Sequence, residues 1–175
     1  MKKHGFTLLE FLISVSLTII LLTMGLPSLA SLITTSDSDI YSRNLLDHLI
    51  FGQRQAITQQ QTVTACLATP VSNTTTEICI TANQIGAKRM LVFIDINRDR
   101  QLDMLNGDIL LSATAPFPTK HIVTANRQFV RFSPDGTAIG TNMTLRFCID
   151  QASRVEIIVS PSGRSRSEKK GLSCS

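Results

Sequence analysis

Tryptophan is absent from the 175 residues and Tyr41 is the only tyrosine. That poverty argues against a base-stacking platform for single-stranded nucleic acid, which needs several aromatic side chains along one groove. Histidine is nearly as scarce, with His4, His48 and His121 widely scattered. No HExxH helix, GxSxG elbow or phosphate-binding glycine loop accompanies them, so no enzyme constellation, catalytic residue or cofactor is expected. Internal repeats and low-complexity linkers are also missing. The length leaves room for one long helix and one small globular domain, and none for a second catalytic domain.

Excess charge is small. The formal net charge is +4, but nine basic residues against four acidic ones fall from Lys120 onward, and two against four lie between Asp95 and Thr119. A basic last third beside an acidic loop favours a polyanion on one face, against the plainer reading of a solvated polar surface.

The four cysteines, Cys66, Cys79, Cys148 and Cys174, lack the close Cys-x-x-Cys pairs of common zinc sites, and no metal is assigned. An even count downstream of an export signal suggests two disulfides in an oxidising compartment. Of three possible connectivities, the nearest-neighbour choice is Cys66 with Cys79 and Cys148 with Cys174. The second bridge would tie down a C-terminus that otherwise frays.

What the sequence has in abundance is apolar residues near its start. Residues 1–5 are short and basic, and 6–22 are almost wholly apolar apart from hydroxyl residues and Glu10. About 20 apolar residues cover a hydrocarbon core of about 30 Å, so residues 6–30 can span a bilayer, with Lys2 and Lys3 on the cytoplasmic side. An ordinary secretory signal is cut after its apolar region. Here Gly5 stands before it, and Glu10 is a carboxylate that needs a partner in such surroundings. Gly25 and Pro27 predict an interruption or kink. The helix should then resume over residues 31–61, where Ile40, Leu45, Leu46, Leu49, Ile50 and Ile57 recur at helical spacing to form an amphipathic face.

The string Gly5-Phe6-Thr7-Leu8-Leu9-Glu10 resembles the class III signal of type IV pilins and type II secretion pseudopilins. The resemblance implies that a prepilin peptidase cuts between Gly5 and Phe6 and methylates the Phe6 amine. It also implies that Glu10 pairs with the terminal amine of a neighbouring subunit during assembly. The expected location is then the inner membrane, crossed once, with a periplasmic domain that assembles with other pilin subunits into an extracellular or periplasmic pilus.

Residues 62–175 read as a β-rich domain. Short runs rich in β-branched residues predict strands at 62–68, 77–81, 89–94, 109–112, 121–124, 128–133, 144–150 and 154–160, with one more after Gly163. Ser133-Pro134-Asp135-Gly136 and Ser160-Pro161-Ser162-Gly163 are turn sequences. The fold class is α+β, a long helix packed on an antiparallel domain. Thr62-Val63-Thr64-Ala65-Cys66, Val92-Phe93-Ile94-Asp95-Ile96-Asn97-Arg98-Asp99, Phe132-Ser133-Pro134-Asp135-Gly136 and the segment 157–166 together resemble the FimT/GspH branch of minor pilins and minor pseudopilins.

Two sites stand out. Asp95, Asn97, Asp99 and Asp103 are spaced like the start of a calcium loop, but Arg100 replaces its glycine, Asn106 its bidentate glutamate, and Arg98 adds a competing positive charge, which favours a solvated turn. Arg164 and Arg166, two apart, share one face of an extended strand, with Lys169 and Lys170 close behind and Arg154 as a further cation. Gly163-Arg164-Ser165-Arg166 also resembles the Gly-Arg-x-Arg motif of FimT-type pilins associated with DNA uptake. The resemblance implies a minor pilin that binds double-stranded DNA without sequence preference during natural transformation. A structural minor pseudopilin of type II secretion is the alternative, and an adhesive pilin has no particular support.

Overall fold

A computed structural model describes residues 7–71, 76–149 and 153–170, and the side chains of 24–36, 153 and 154 lie outside that description. The chain divides into two compact units, Met1–Asp37 and Ser38–Ser175.

The first unit is helical from Leu8, where α1 (Leu8–Gln59) begins. A capping box starts it: Thr7 donates to Glu10 Oε2 from its backbone N at 3.0 Å and its Oγ1 at 3.2 Å, and Glu10 N donates to Thr7 Oγ1 at 3.2 Å. Donors that every helix start leaves orphaned are thereby satisfied reciprocally. Downstream, the hydroxyls of Ser14, Ser16, Thr18 and Thr23 each donate to a carbonyl three or four residues back, at 2.6 to 2.9 Å. Leu8, Leu12, Leu17 and Leu21 are among many apolar side chains exposed around them. Gly25 and Pro27 do not end α1, which stays helical through both. Among the described residues no helix is long and apolar enough to cross a membrane, and the predicted span extends past Thr23 into side chains outside the description.

In the second unit the buried stripe of α1 differs from the one hydropathy predicts. Ser38, Ser42, Leu45, Leu49, Gly52 and Ala56 are buried, whereas Ile40 is 61% and Ile57 45% exposed. Small residues dominate because the helix lies close to a sheet: a Cβ on Gly52 would stand 3.0 Å from Val92 Cγ1. The helix closes with Gln60 in the left-handed region at φ 53° and Gln61 N bonding back to Ala56 O at 3.3 Å, the pattern of a Schellman stop.

Among the described residues ten strands follow: β1 (Val63–Pro70), β2 (Glu77–Cys79), β3 (Arg89–Ile94), β4 (Gln101–Leu102), β5 (Ile109–Ala113), β6 (His121–Ala125), β7 (Phe129–Phe132), β8 (Met143–Ile149), β9 (Ser153–Val159) and β10 (Ser165–Lys169). All described pairings are antiparallel. One sheet runs β4-β2-β1-β3-β5 with β7 added to β1, and the other runs β10-β9-β8-β6. The predicted strands are present; β4, two residues held by pairing with β2, is an addition.

The first sheet is buried on both faces, which explains the unbroken apolar run of β3. Ala65, Leu67, Met90 and Val92 join Leu45 and Leu49 of α1 in the main core, while Cys66, Leu91, Phe93 and Leu102 form a second cluster. Cys66 is disulfide-bonded to Cys79 within that cluster, with Cα atoms 5.6 Å apart. Cys148 carries a disulfide as well, and its expected partner, Cys174, lies outside the described residues. The second sheet has one buried face, so Met143, Leu145 and Phe147 alternate with Thr144 and the exposed Arg146. His121 is buried edge-on to Tyr41 and Phe147, with centroids at 4.3 and 5.2 Å, a packing role.

His48 on α1 meets Ser112 Oγ of β5 through Nδ1 at 2.8 Å. Burial lowers its pKa below the ordinary 6.5, against an opposing pull from Asp47. As pH falls below 6.5 the unfolded chain protonates first, so the stability this site supplies is full above 6.5 and is lost as pH falls through the folded-state pKa. The melting temperature should therefore drop more steeply from about pH 7 to pH 5 in the wild type than in His48→Gln. Thermal melts across that range check it, and equal slopes would refute it.

Candidate nucleic-acid interface

The basic edge is built on a junction of two turns. Gly163 closes the turn that leads into β10, its N donating to Ser160 O at 2.8 Å, and Ala138 N reaches across to Pro161 O at 2.9 Å. Gly163 has φ +80°, and a Cβ there would lie 1.9 Å from the carbonyl oxygen of Gly136. That same oxygen accepts from Gln53 Nε2 of α1 at 2.8 Å. The glycine that opens Gly163-Arg164-Ser165-Arg166 is thus required by packing. Arg164 O accepts from both N and Oγ of Ser160, at 3.0 and 3.1 Å, which fixes the backbone where the first arginine emerges.

The side chains depart from the predicted arrangement in three respects. Arg164 lies before β10, so the shared face of one strand does not describe it; Arg166 alone of the two arginines is on the strand. Glu168, which sequence reasoning passed over, stands among the cations: Arg166 Nε donates to it at 2.9 Å and Lys170 Nζ lies 3.6 Å away. The hydrogen bond from Arg166 and the nearby positive charges hold its pKa below the usual carboxylate value. Lys169 is turned away to Asp39 of α1, at 2.8 Å. Arg164 is exposed and makes no ion pair among the described residues. Arg154 is paired through its backbone with Cys148, and its side chain lies outside the description.

A row across the second sheet adds one more cation. Arg146 is opposite Glu156 in β8 and β9, and Glu156 is opposite Glu168 in β10. Two glutamates directly across a pair of strands repel, and Arg146, 3.6 Å from Glu156, relieves them. Arg146 was legible as a polar position on an alternating strand, but its place beside the edge depends on strand order.

Gly5 and Phe6 lie outside the described residues. Glu10 forms the capping box described above. In the acidic loop, Asp103 caps the 3-10 helix Met104–Asn106 by accepting from Leu105 N at 3.0 Å, so it does not join Asp95 and Asp99. Asp108 takes its place: oxygens of Asp95, Asp99 and Asp108 all lie within 4.8 Å of one another. Arg100, at the position where a calcium loop has glycine, adopts φ 67° all the same.

A helix packed on antiparallel sheets in this order defines a pilin-like subunit. Solved structures agree: the type IV minor pilin FimU of Pseudomonas aeruginosa strain PAO1 is similar in two crystal forms. One has a TM-score of 0.57 at 13% identity over 81% of this chain and 98% of that chain. The other has 0.50 at 16% over 76% and 96%. At such identity the likeness shows the fold. The family described as Type II transport protein GspH matches residues 42–163, and the prokaryotic N-terminal methylation motif matches residues 1–26. The chain therefore belongs to the GspH family of minor pilins and pseudopilins. No curated protein matches the sequence.

Gly163→Ala should destabilise the fold by about 2 kcal/mol or more, because a left-handed backbone and a carbonyl that cannot retreat both oppose the methyl group. Denaturant melts measure the loss, and a change within about 0.5 kcal/mol would show that the turns separate freely.

Proposed function

We infer that this chain is a minor type IV pilin that binds double-stranded DNA through its C-terminal basic edge and takes part in DNA uptake for natural transformation. The observation that carries the reading is the exposed Arg166 on the outermost strand of a sheet, with the exposed Arg164 just ahead of it at the turn junction. Guanidinium groups suit phosphate because their planar donors meet two oxygens at once. Glu168 moderates the edge: Arg164, Arg166, Lys169 and Lys170 are offset by Glu168 and Asp39, leaving two net positive charges. Binding through the backbone with two to four phosphate contacts implies a salt slope of about −2 to −4 and a Kd of about 10⁻⁴ to 10⁻⁶ M, which repetition along a filament raises by avidity. A structural pseudopilin of type II secretion is the second reading, favoured by the family description that matches 42–163.

The N-terminus supplies the anchor in either reading. A prepilin peptidase cuts between Gly5 and Phe6 and methylates the Phe6 amine, and residues 6–30 cross the inner membrane once and then form the filament core with neighbouring subunits. The internally satisfied hydroxyls from Ser14 to Thr23 support this, since lipid offers them no partner. Glu10 then has two roles, capping its own helix and meeting the amine of a neighbour.

Replacing both Arg164 and Arg166 by Gln should weaken duplex binding at fixed salt, flatten the salt slope and lower transformation while filaments still form. Glu168→Gln should tighten binding by roughly twofold to fivefold, since it frees Arg166 and Lys170 from an exposed pair. Titration of the full chain in detergent with duplex DNA measures both, and unchanged binding in the double variant ends the DNA reading.

Glutamine serves a capping box as well as glutamate does, so Glu10→Gln removes charge and keeps the cap. Filament assembly should be lost in Glu10→Gln with helix content unchanged, whereas Thr7→Ala should cost about 1 kcal/mol of helix stability and still assemble. Electron microscopy of filaments with circular dichroism separates the two roles; normal filaments from Glu10→Gln would refute the charge pair.

A further inference from the structure

We propose that the loop between β3 and β5 is a calcium site whose protein ligands are Asp95, Asp99 and Asp108. Three carboxylate oxygens lying within 4.8 Å of one another meet the pairwise limit for sharing a single ion, because two oxygens each about 2.4 Å from calcium are at most about 4.8 Å apart. Asp95 and Asp108 are 8% and 5% exposed, so two of the three charges lie out of water beside each other. Like charges held that close in low dielectric favour neutralisation by a cation.

A second observation is independent of the clustering. Asp95 Oδ2 accepts from Arg100 N at 3.2 Å and lies 3.4 Å from an Arg131 guanidinium nitrogen. Its other oxygen, Oδ1, is buried and has no hydrogen-bond partner among the described residues. A buried anionic oxygen without a donor is costly, and an ion is one of the few things that satisfies it. Arg131 does not fill that role, since its guanidinium pairs with Oδ2 at 3.4 Å and lies over the Phe129 ring, 4.9 Å from its centroid.

The loop is preformed for this work. Asp108 accepts from Ile96 N and Asp103 N, both at 3.0 Å, and Asp99 accepts from Gln101 N at 2.8 Å, so backbone donors aim the carboxylates while leaving each oxygen a further lone pair. Arg100 is drawn off to Gln128 at 3.1 Å. Asp99 is exposed, which leaves an open side where waters complete a shell of six to eight oxygens. Calcium fits this irregular, all-oxygen, partly open set better than magnesium, which demands near-ideal octahedral geometry.

The test uses the full chain in detergent, treated with EDTA and then titrated with calcium chloride. Calorimetry should give one site with a Kd of about 10⁻³ M or tighter, and a hundredfold excess over Kd should raise Tm by about 5 to 10 °C. Asp99→Asn, at an exposed position, should keep the fold in EDTA by circular dichroism and lose both responses. Asp108→Asn should do likewise, and if it fails to fold, Asp99→Asn decides alone. The proposal is overturned by a wild type that shows no calcium-dependent Tm shift beyond a sodium chloride control of equal ionic strength. It is equally overturned by an Asp99→Asn protein that responds like the wild type, or by magnesium acting as strongly as calcium.

Discussion

The closeness of α1 to the first sheet governs the rest of the globular unit. Ser38, Ser42, Gly52 and Ala56 are small, and their smallness lets Leu45 and Leu49 reach a core shared with Val92, Phe132, Leu145 and Phe147. At that depth Gln53 reaches the carbonyl of Gly136, and Asp39 reaches Lys169. A helix held further out would lose both contacts and release the turn junction that presents Arg164. The placement of the basic edge is therefore set by helix packing on the far side of the same turns, and protein interiors transmit such displacements because they are close-packed.

Much of this architecture is legible in sequence because its causes are local. Alternation fixes the inward face of β8, Ser-Pro-x-Gly sequences mark the two turns, and the unbroken run at β3 signals burial on both faces. Other features depend on neighbours that a sequence does not supply. Hydropathy assigns Ile40 and Ile57 to the buried face of α1, but the sheet accepts only small groups along the line of contact, so the stripe rotates toward serine and glycine. The two residues of β4 have no propensity signal and owe their pairing to β2. Glu168 is plain in the sequence, yet its effect on Arg166 and Lys170 emerges only when parity along β10 puts Arg166 and Glu168 on one side, with Lys170 just past the strand's end. Asp108 is thirteen residues from Asp95, and a bulge between Val92 and Phe93 in the pairing of β3 with β5 helps decide where it arrives.

Mixed charge on β10 has a structural meaning alongside any ligand. An outermost strand exposes unpaired backbone groups that invite further strands, and charged side chains along it discourage such pairing. Arg166, Glu168 and Lys169 satisfy that need whether or not phosphate is present. Arg164, just ahead of the strand and without an ion pair among the described residues, lies outside that protection, which sets it apart from Arg166 and Lys169.

The back-bonded hydroxyls of the first unit bear on how such a helix changes surroundings. Because Ser14, Ser16, Thr18 and Thr23 spend their donors on carbonyls of their own helix, they ask nothing of whatever surrounds it. To such a helix, lipid tails and the leucines of an adjacent helix are nearly the same solvent. Transfer between two such media breaks none of these hydroxyl bonds, so the four hydroxyls leave the free-energy balance to packing and to the Glu10 carboxylate.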